Sequence, residues 1–166
     1  MGQNPSMGVI FDYFLAPSDD TAAAVIDWPA GPAPGVPKKG LFGKPIAGLP
    51  TVQDSGVEPT VTLGMFQELL TGKTFDEQLA DPISRPTLAN RDGGERLVLR
   101  IGDDLVTPLA QAERERLREL AQPWSQIAEF WGQGDPNDLF EFLTRLRDLA
   151  ARAKSSDQGV YCWVCV

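Results

Sequence analysis

A segment rich in proline and glycine constrains the fold of this chain more than any other feature. Eleven of the 22 residues from Pro29 to Pro50 are proline or glycine, a density that excludes a helix interior or a central strand. We therefore predict a long loop at about 29–56, with regular structure on either side of it. A loop of this length is unusual in a compact domain unless it is mobile or functional.

Three segments outside this loop are typical of β-strands. Met7–Leu15 is rich in aromatic and β-branched residues, and its pleat places Phe11 and Tyr13 on one face. A middle strand is predicted over Glu95–Ile101, where apolar residues alternate with polar or smaller ones. The closing residues 160–166, VYCWVCV, are apolar on both pleat faces, so we expect this strand at the centre of the sheet.

Helix signals occupy much of the remaining sequence. Ser18 is placed to cap a short helix, Gly72 to end a second one, and Thr74 to begin a third through a capping box. Asp135 followed by Pro136 marks the start of the longest helix, which carries a wide apolar stripe.

Together these elements predict the fold class. The 166 residues are near the commonest size of a single domain. We predict one α+β domain over residues 7–166, in which the N-terminal, middle and C-terminal strands form a small mixed sheet packed with several helices.

The charge balance limits the classes of function. The chain has 23 acidic and 15 basic side chains and no histidine, which gives a net charge of −8. Histidine-dependent catalytic triads and the HExxH zinc site are therefore excluded. The negative charge also argues against binding to nucleic acid or to an anionic membrane, and it favours a basic protein partner.

The sequence also indicates where the protein works. It shows neither a secretory signal nor an apolar run long enough to cross a bilayer, so we expect a cytoplasmic protein. Ten arginines against five lysines are typical of a GC-rich bacterium. The sequence does not predict the oligomeric state.

Four residues are candidates for ligand or partner binding: Asp12, Tyr13, Trp124 and Trp131. A carboxylate in the middle of a strand needs solvent, a hydrogen-bond partner or a perturbed pKa, and we expect Asp12 to be exposed at an edge or to act as a cap. Trp124 and Trp131 lie with Phe130 at helical spacing. We expect these aromatic residues in the core, with a ligand pocket as the alternative.

Two motifs suggest chemistry that their context does not favour. Cys162 and Cys165 have the C-x-x-C spacing of redox and metal sites, but a strand places them on opposite faces, so we predict structural cysteines. Gly72-Lys73-Thr74 resembles the end of a P-loop, but Gln67 stands where that motif needs glycine. No metal or cofactor is predicted.

The paired acids Asp103 and Asp104 are open to two interpretations. Paired carboxylates suit general acid–base chemistry or Mg²⁺ binding. Because both residues stand at a predicted helix start, we expect them to act as helix caps.

Several short motifs occur in an order that resembles one known family. They are M-G-V-I-F-D-Y-F at 7–14, L-L-T-G at 69–72, D-P-I-S at 81–84, P-W at 123–124, L-T-R-L-R at 143–147 and the closing V-Y-C-W-V. In order and spacing over nearly the whole chain they resemble the YfbM-like family of small bacterial proteins. The resemblance implies an α+β fold, with residues 1–6 as an N-terminal extension before the usual Met-Gly start. The family supplies no established reaction, so no catalytic residue is carried over.

Two functions remain open from the sequence. The first is a non-enzymatic bacterial protein-interaction module, of the immunity or stress-associated kind, whose acidic surface binds a basic partner. The alternative is a small enzyme or ligand-binding protein that uses Asp12, Tyr13, Trp124 and Trp131 in a pocket.

Overall fold

The computed structural model describes residues 8–34, 48–54 and 56–166. The predicted N-terminal extension, residues 1–6, and the middle of the Pro/Gly segment lie outside these residues. The strands are β1 (Ile10–Ala16), β2 (Thr51–Asp54), β3 (Thr87–Arg91), β4 (Arg96–Ile101) and β5 (Gly159–Cys165). The described helices are α1 (Asp19–Ala24), α2 (Val61–Thr71), α3 (Phe75–Ala80), α4 (Asp103–Gln111), α5 (Arg114–Ser125) and α6 (Pro136–Ser155).

The five described strands form one sheet in the order β2-β1-β5-β4-β3, which confirms the α+β fold class and the central place of β5. The expectation of a mixed sheet was wrong, because each pair of neighbouring strands is antiparallel. Both β1 and β4 run antiparallel to β5, so these three strands need no parallel crossover between neighbours.

Two apolar layers cover the two faces of the sheet. On the first face, Phe11, Tyr13 and Leu15 pack into the larger cluster, to which α2, α4, α5 and α6 contribute side chains. The predicted shared face of Phe11 and Tyr13 is thereby confirmed. The second face carries a smaller cluster that includes Phe14 and Trp163 and is covered by residues of α1 and the turn after it.

The predicted caps at Ser18, Gly72, Thr74 and Asp135 are confirmed. Gly72 ends α2 in the left-handed conformation with φ of +79°. Thr74 then begins α3 through a complete capping box with Glu77, so α2 and α3 are separated by only a tight turn. Ser18 and Asp135 also cap α1 and α6 through their side chains.

Some elements differ from the sequence predictions. The short strands β2 and β3 were missed, and β2 lies inside the segment predicted to be a loop. Gly102, not an aspartate, is the N-cap of α4, so the expected capping role of Asp103 and Asp104 was wrong. Gly31, also inside the predicted loop, packs against the ring of Trp163, where an added Cβ would lie 2.7 Å from ring carbons.

Candidate functional site

The adjacent candidates Asp12 and Tyr13 lie on opposite faces of the sheet. Tyr13 is fully buried on the first face, where its hydroxyl donates to the carbonyl of Val57 at 2.7 Å. Its ring meets Phe142 edge-on with ring centres 5.5 Å apart. Burial raises the pKa of Tyr13 well above its usual value, which suits a neutral hydrogen-bond donor in the core.

The expectation that Asp12 is exposed at an edge or acts as a cap was wrong. Asp12 is 1% exposed, because β1 is an interior strand paired with both β2 and β5. The pleat directs Asp12 toward the second face, on the same side as Phe14. Asp12 and Tyr13 therefore do not meet in one pocket.

The two candidate tryptophans have contrasting environments. Trp124 is fully buried, its indole N–H donates to the carbonyl of Thr62 at 2.9 Å, and its ring packs against Phe66 and Phe130. The core interpretation of Trp124 is confirmed. For Trp131 it was wrong: this residue adopts a left-handed conformation with φ of +53° after the short 3-10 turn, and it is 88% exposed.

The two cysteines are free and lie on opposite faces of β5, as predicted. Cys162 belongs to the cluster on the first face, whereas Cys165 packs against the cluster on the second face. Burial raises the pKa of the Cys162 thiol well above its usual value, and the charge of Asp12 raises it further. A fully buried thiol with a raised pKa is a poor nucleophile.

The most connected polar group of the described chain lies elsewhere, around Lys73. The Lys73 ammonium contacts Asp81 at 2.7 Å, Asp104 at 3.0 Å and the Ser84 hydroxyl at 3.1 Å. Ser84 donates to Asp104 at 2.5 Å, and the Gln67 side chain donates to the same oxygen at 2.9 Å. We refer to these five residues as the Lys73 cluster.

Local structure explains why these five residues converge. The left-handed turn at Gly72 carries the chain out of α2 and places Lys73 before α3, while Asp81 follows the end of α3. Because Gly102 has no side chain, the backbone of Ile83 and Ser84 can approach the start of α4. A Cβ atom on residue 102 would collide with the carbonyl oxygen of Ile83.

The charges of the cluster support one another. The hydrogen bond that Lys73 donates to Asp81 raises the pKa of Lys73 most, and the hydrogen bond to Asp104 raises it further. Burial raises the pKa of Asp104, but hydrogen bonds from Ser84, Gln67 and Lys73 outweigh this effect and lower the net pKa below its usual 3.8. The cluster is therefore fully ionised at neutral pH.

Arg85 extends the cluster on the side toward α2. Its guanidinium donates to the carbonyls of Pro59 and Ser84 and to the side chain of Gln67, at distances of 2.7 to 2.9 Å. Burial lowers the pKa of Arg85 from its usual value. Two of these acceptors, Pro59 and Gln67, lie outside residues 81–86 and hold this segment, which we name the 81–86 loop, against the rest of the protein.

The chemistry of the Lys73 cluster is that of a structural clamp. A serine–lysine pair acts as a nucleophile when the lysine is neutral and accepts the hydroxyl proton. Here the ammonium is held protonated by two carboxylates, and Ser84 is 0% exposed, so a substrate has no approach to its hydroxyl. The cluster therefore holds the 81–86 loop in place.

Large apolar side chains on the clamped loop and on the neighbouring helix α3 lie in solvent. Leu79 is 61% exposed and Ile83 is 63% exposed, and Pro82 lies between them in sequence. A recess of about 190 Å³, the Leu79 recess, contains Phe75, Leu79 and Pro82 in its wall. A second recess of about 430 Å³, the Ile83 recess, contains Pro82, Ile83 and Pro86.

The Ile83 recess shares three of its residues with a polar groove. Asp19, Arg100 and Asp103 line both depressions, and the groove has a volume of about 460 Å³. Arg100 contacts Asp19 at 2.6 Å, and the Tyr161 hydroxyl donates to the same carboxylate at 2.8 Å. Asp20 and Asp157 also line the groove, which we name the acidic groove.

The sequence predictions named neither the cluster nor the recesses as a site. Lys73 was considered only as part of an incomplete P-loop motif, and Asp104 was considered as a helix cap or, with Asp103, as one of a pair of acids. The signal that was present is the D-P-I-S motif at 81–84, which contributes two cluster residues, part of both recess walls and the exposed Ile83. None of the four sequence candidates lines the two recesses or the acidic groove.

Comparisons with family models, with curated proteins and with solved structures found no match to this chain. Within the described ranges, no group of three or more cysteine, aspartate or glutamate side chains has the geometry to hold a metal ion. None of the described helices is both long enough and apolar enough to span a membrane.

Proposed function

We propose that this protein is a non-enzymatic interaction module that binds a basic protein partner. The observation that carries the proposal is the 81–86 loop, which the Lys73 cluster fixes while Leu79 and Ile83 stay more than half exposed. Ile83 lies on the fixed loop and Leu79 on helix α3, so an ordered backbone already carries both side chains and their burial contributes efficiently to affinity.

The charge beside the loop supports a basic partner. The acidic groove contains Asp19, Asp20, Asp103 and Asp157, against the two cations Arg100 and Lys154. This local excess of acid agrees with the net charge of −8 and favours rapid encounter with a positively charged surface. Immunity proteins and stress-associated proteins are the kinds of module that we expect to act in this way.

The proposal includes a cytoplasmic location. It excludes nucleic acid as a partner, because 23 acidic side chains outnumber 15 basic ones. It also retains the resemblance to the YfbM-like family as a hypothesis. Of the motifs that suggested the resemblance, the one at 81–84 contains Asp81 and Ser84 of the Lys73 cluster, and the one at 69–72 directly precedes Lys73, which supports a shared role for these segments.

Affinity capture from extracts of the source cells at increasing salt tests the proposal. We expect a basic protein to be captured, with less recovered as salt screens the charges. Ile83→Ser should reduce the recovery, whereas Val166→Ser, which removes a similarly exposed valine at 57%, should not.

A broad hydrolase screen of the wild type and Asp12→Asn tests the enzymatic alternative in parallel. The circular dichroism spectrum of the variant must first match that of the wild type, because Asp12 is buried. Reproducible turnover that Asp12→Asn abolishes, together with no salt-sensitive partner, would reject the proposal in favour of an enzyme.

A further inference from the structure

The two apolar recesses are adjacent, and Pro82 is part of both walls. On one side of Pro82 lies Leu79 and on the other lies Ile83, each more than 60% exposed. A partner that covers this surface must therefore offer apolar groups on both sides of a proline ridge. An extended peptide segment meets this requirement, because its side chains are spaced along a narrow backbone.

The acidic groove continues the Ile83 recess through their shared residues Asp19, Arg100 and Asp103. Within the described part of the chain, Asp20 and Asp157 form no ion pair, although both line the groove and are exposed. Four carboxylates against two cations leave the groove with net negative charge. A peptide segment of the partner that packs in the two recesses therefore reaches the carboxylates of the acidic groove, which favour a positively charged side chain.

We propose that this surface takes one short, extended and basic segment of the partner protein. Apolar side chains of the segment occupy the Leu79 and Ile83 recesses, and an arginine or lysine side chain extends into the acidic groove. The inference rests on the proposed function and specifies the chemistry of its partner. A second copy of this chain fits the surface less well, because two molecules that each carry a net charge of −8 repel one another.

The clamp makes the surface suitable for a short segment. Ser84 and Arg85 are held by hydrogen bonds to Asp104 and Gln67, so the recess walls exist before a ligand arrives. A short peptide has few contacts to offset the entropy lost on binding, and it therefore needs a preformed site.

Selection of random decapeptides displayed on phage, with the full chain as bait, tests the inference without knowledge of the partner. We expect a consensus with at least one arginine or lysine beside large aliphatic residues. The synthetic consensus peptide should bind Ile83→Ser about tenfold more weakly than wild type, which corresponds to the loss of one buried aliphatic contact.

A pair of charge-matched variants separates a local effect from the effect of net charge. Asp20→Asn/Asp157→Asn removes two carboxylates from the acidic groove, and Glu129→Gln/Glu141→Gln removes two exposed carboxylates that do not line it. We expect the first variant to lower the peptide affinity about two- to fivefold for each charge, as exposed ion pairs do. The second variant should leave the affinity unchanged.

Four outcomes would overturn the inference while capture of a basic partner still upheld the proposed function. The first is an equal loss of peptide affinity in both charge variants, and the second is a consensus that lacks basic residues. The third is peptide binding that is abolished by Trp131→Ala but not by Ile83→Ser. The fourth is failure to select any peptide. Sedimentation that shows a dimer disrupted by Ile83→Ser would also overturn it, because the occupant would then be a second copy. Failure of the capture experiment alone would reject the proposed function.

Discussion

Asp103 and Asp104 are neighbours in the first turn of α4, yet they belong to different environments. The Asp104 side chain is 14% exposed and accepts from Ser84, Gln67 and Lys73. The Asp103 side chain is 64% exposed and contacts only Lys154, at 3.0 Å, in the described structure. Two identical residues, one position apart, thus have different roles, because successive side chains of a helix point in different directions. Asp104 belongs to the clamp and Asp103 lines the solvent-facing groove.

The largest expected effect comes from breaking the clamp. Asp104→Ala removes the shared acceptor of three donors and leaves them partly buried, so the free energy of unfolding should fall by about 2–3 kcal/mol. Urea unfolding measures the change, and Asp103→Ala is the matched control. A loss below about 1 kcal/mol would show that the cluster does not act as a clamp.

A smaller loss is expected when only the serine hydroxyl is removed. Ser84 is fully buried, and Ser84→Ala deletes one donor to Asp104 without removing the charge. We expect a loss of about 1–2 kcal/mol in urea unfolding. Ser18→Ala, at an exposed cap of the short helix α1, is the comparison and should cost less. The reverse order would contradict the assigned role of Ser84.

Strong acid should remove the contribution of Asp104 to stability. The folded-state pKa of Asp104 is lowered from 3.8, so its contribution to stability is present above the unfolded pKa and is lost as pH falls through the folded pKa. The difference in unfolding free energy between wild type and Asp104→Asn should therefore shrink between about pH 5 and pH 2. A constant difference across this range would show that ionised Asp104 does not stabilise the fold.

The smallest effect on stability is expected in the groove. Asp103→Asn removes one exposed ion pair with Lys154 and should change the free energy of unfolding by less than about 0.5 kcal/mol. Thermal and urea unfolding curves that overlay those of the wild type would agree with this prediction. A larger loss would mean that the groove carboxylates stabilise the fold and are less available to a partner.

Most of the fold was predictable from the sequence where local signals and periodicity agreed. The caps at Ser18, Thr74 and Asp135 and the doubly apolar strand β5 were all identified from a few residues each. The two edge strands were not, because β2 has only four residues beside a proline-rich segment and β3 contains polar residues around a bulge. Such strands form because a neighbour supplies hydrogen bonds, which no local pattern reveals.

The candidate site was less predictable than the fold. Lys73, Ser84 and Asp104 come from three separate segments, and each alone has an ordinary explanation in a turn, a loop or a helix start. Their contact depends on how α2, α3 and α4 pack. In the same way, the alternation of side chains along β1 predicts that Asp12 and Tyr13 lie on opposite faces of the sheet. Nothing in the sequence showed that β1 has β2 as a second neighbour, which makes β1 an interior strand.

The position of β5 between β1 and β4 has a consequence for how the protein is made. During translation β1 and β4 leave the ribosome long before residues 159–165, and until then neither strand has its central partner. The nascent chain must therefore expose unpaired strand edges and the apolar residues of both faces, a state that favours aggregation and recognition by chaperones. Pairing of β1 and β4 with β5 can therefore form only after residues 159–165 have left the ribosome, which makes completion of the sheet a late event.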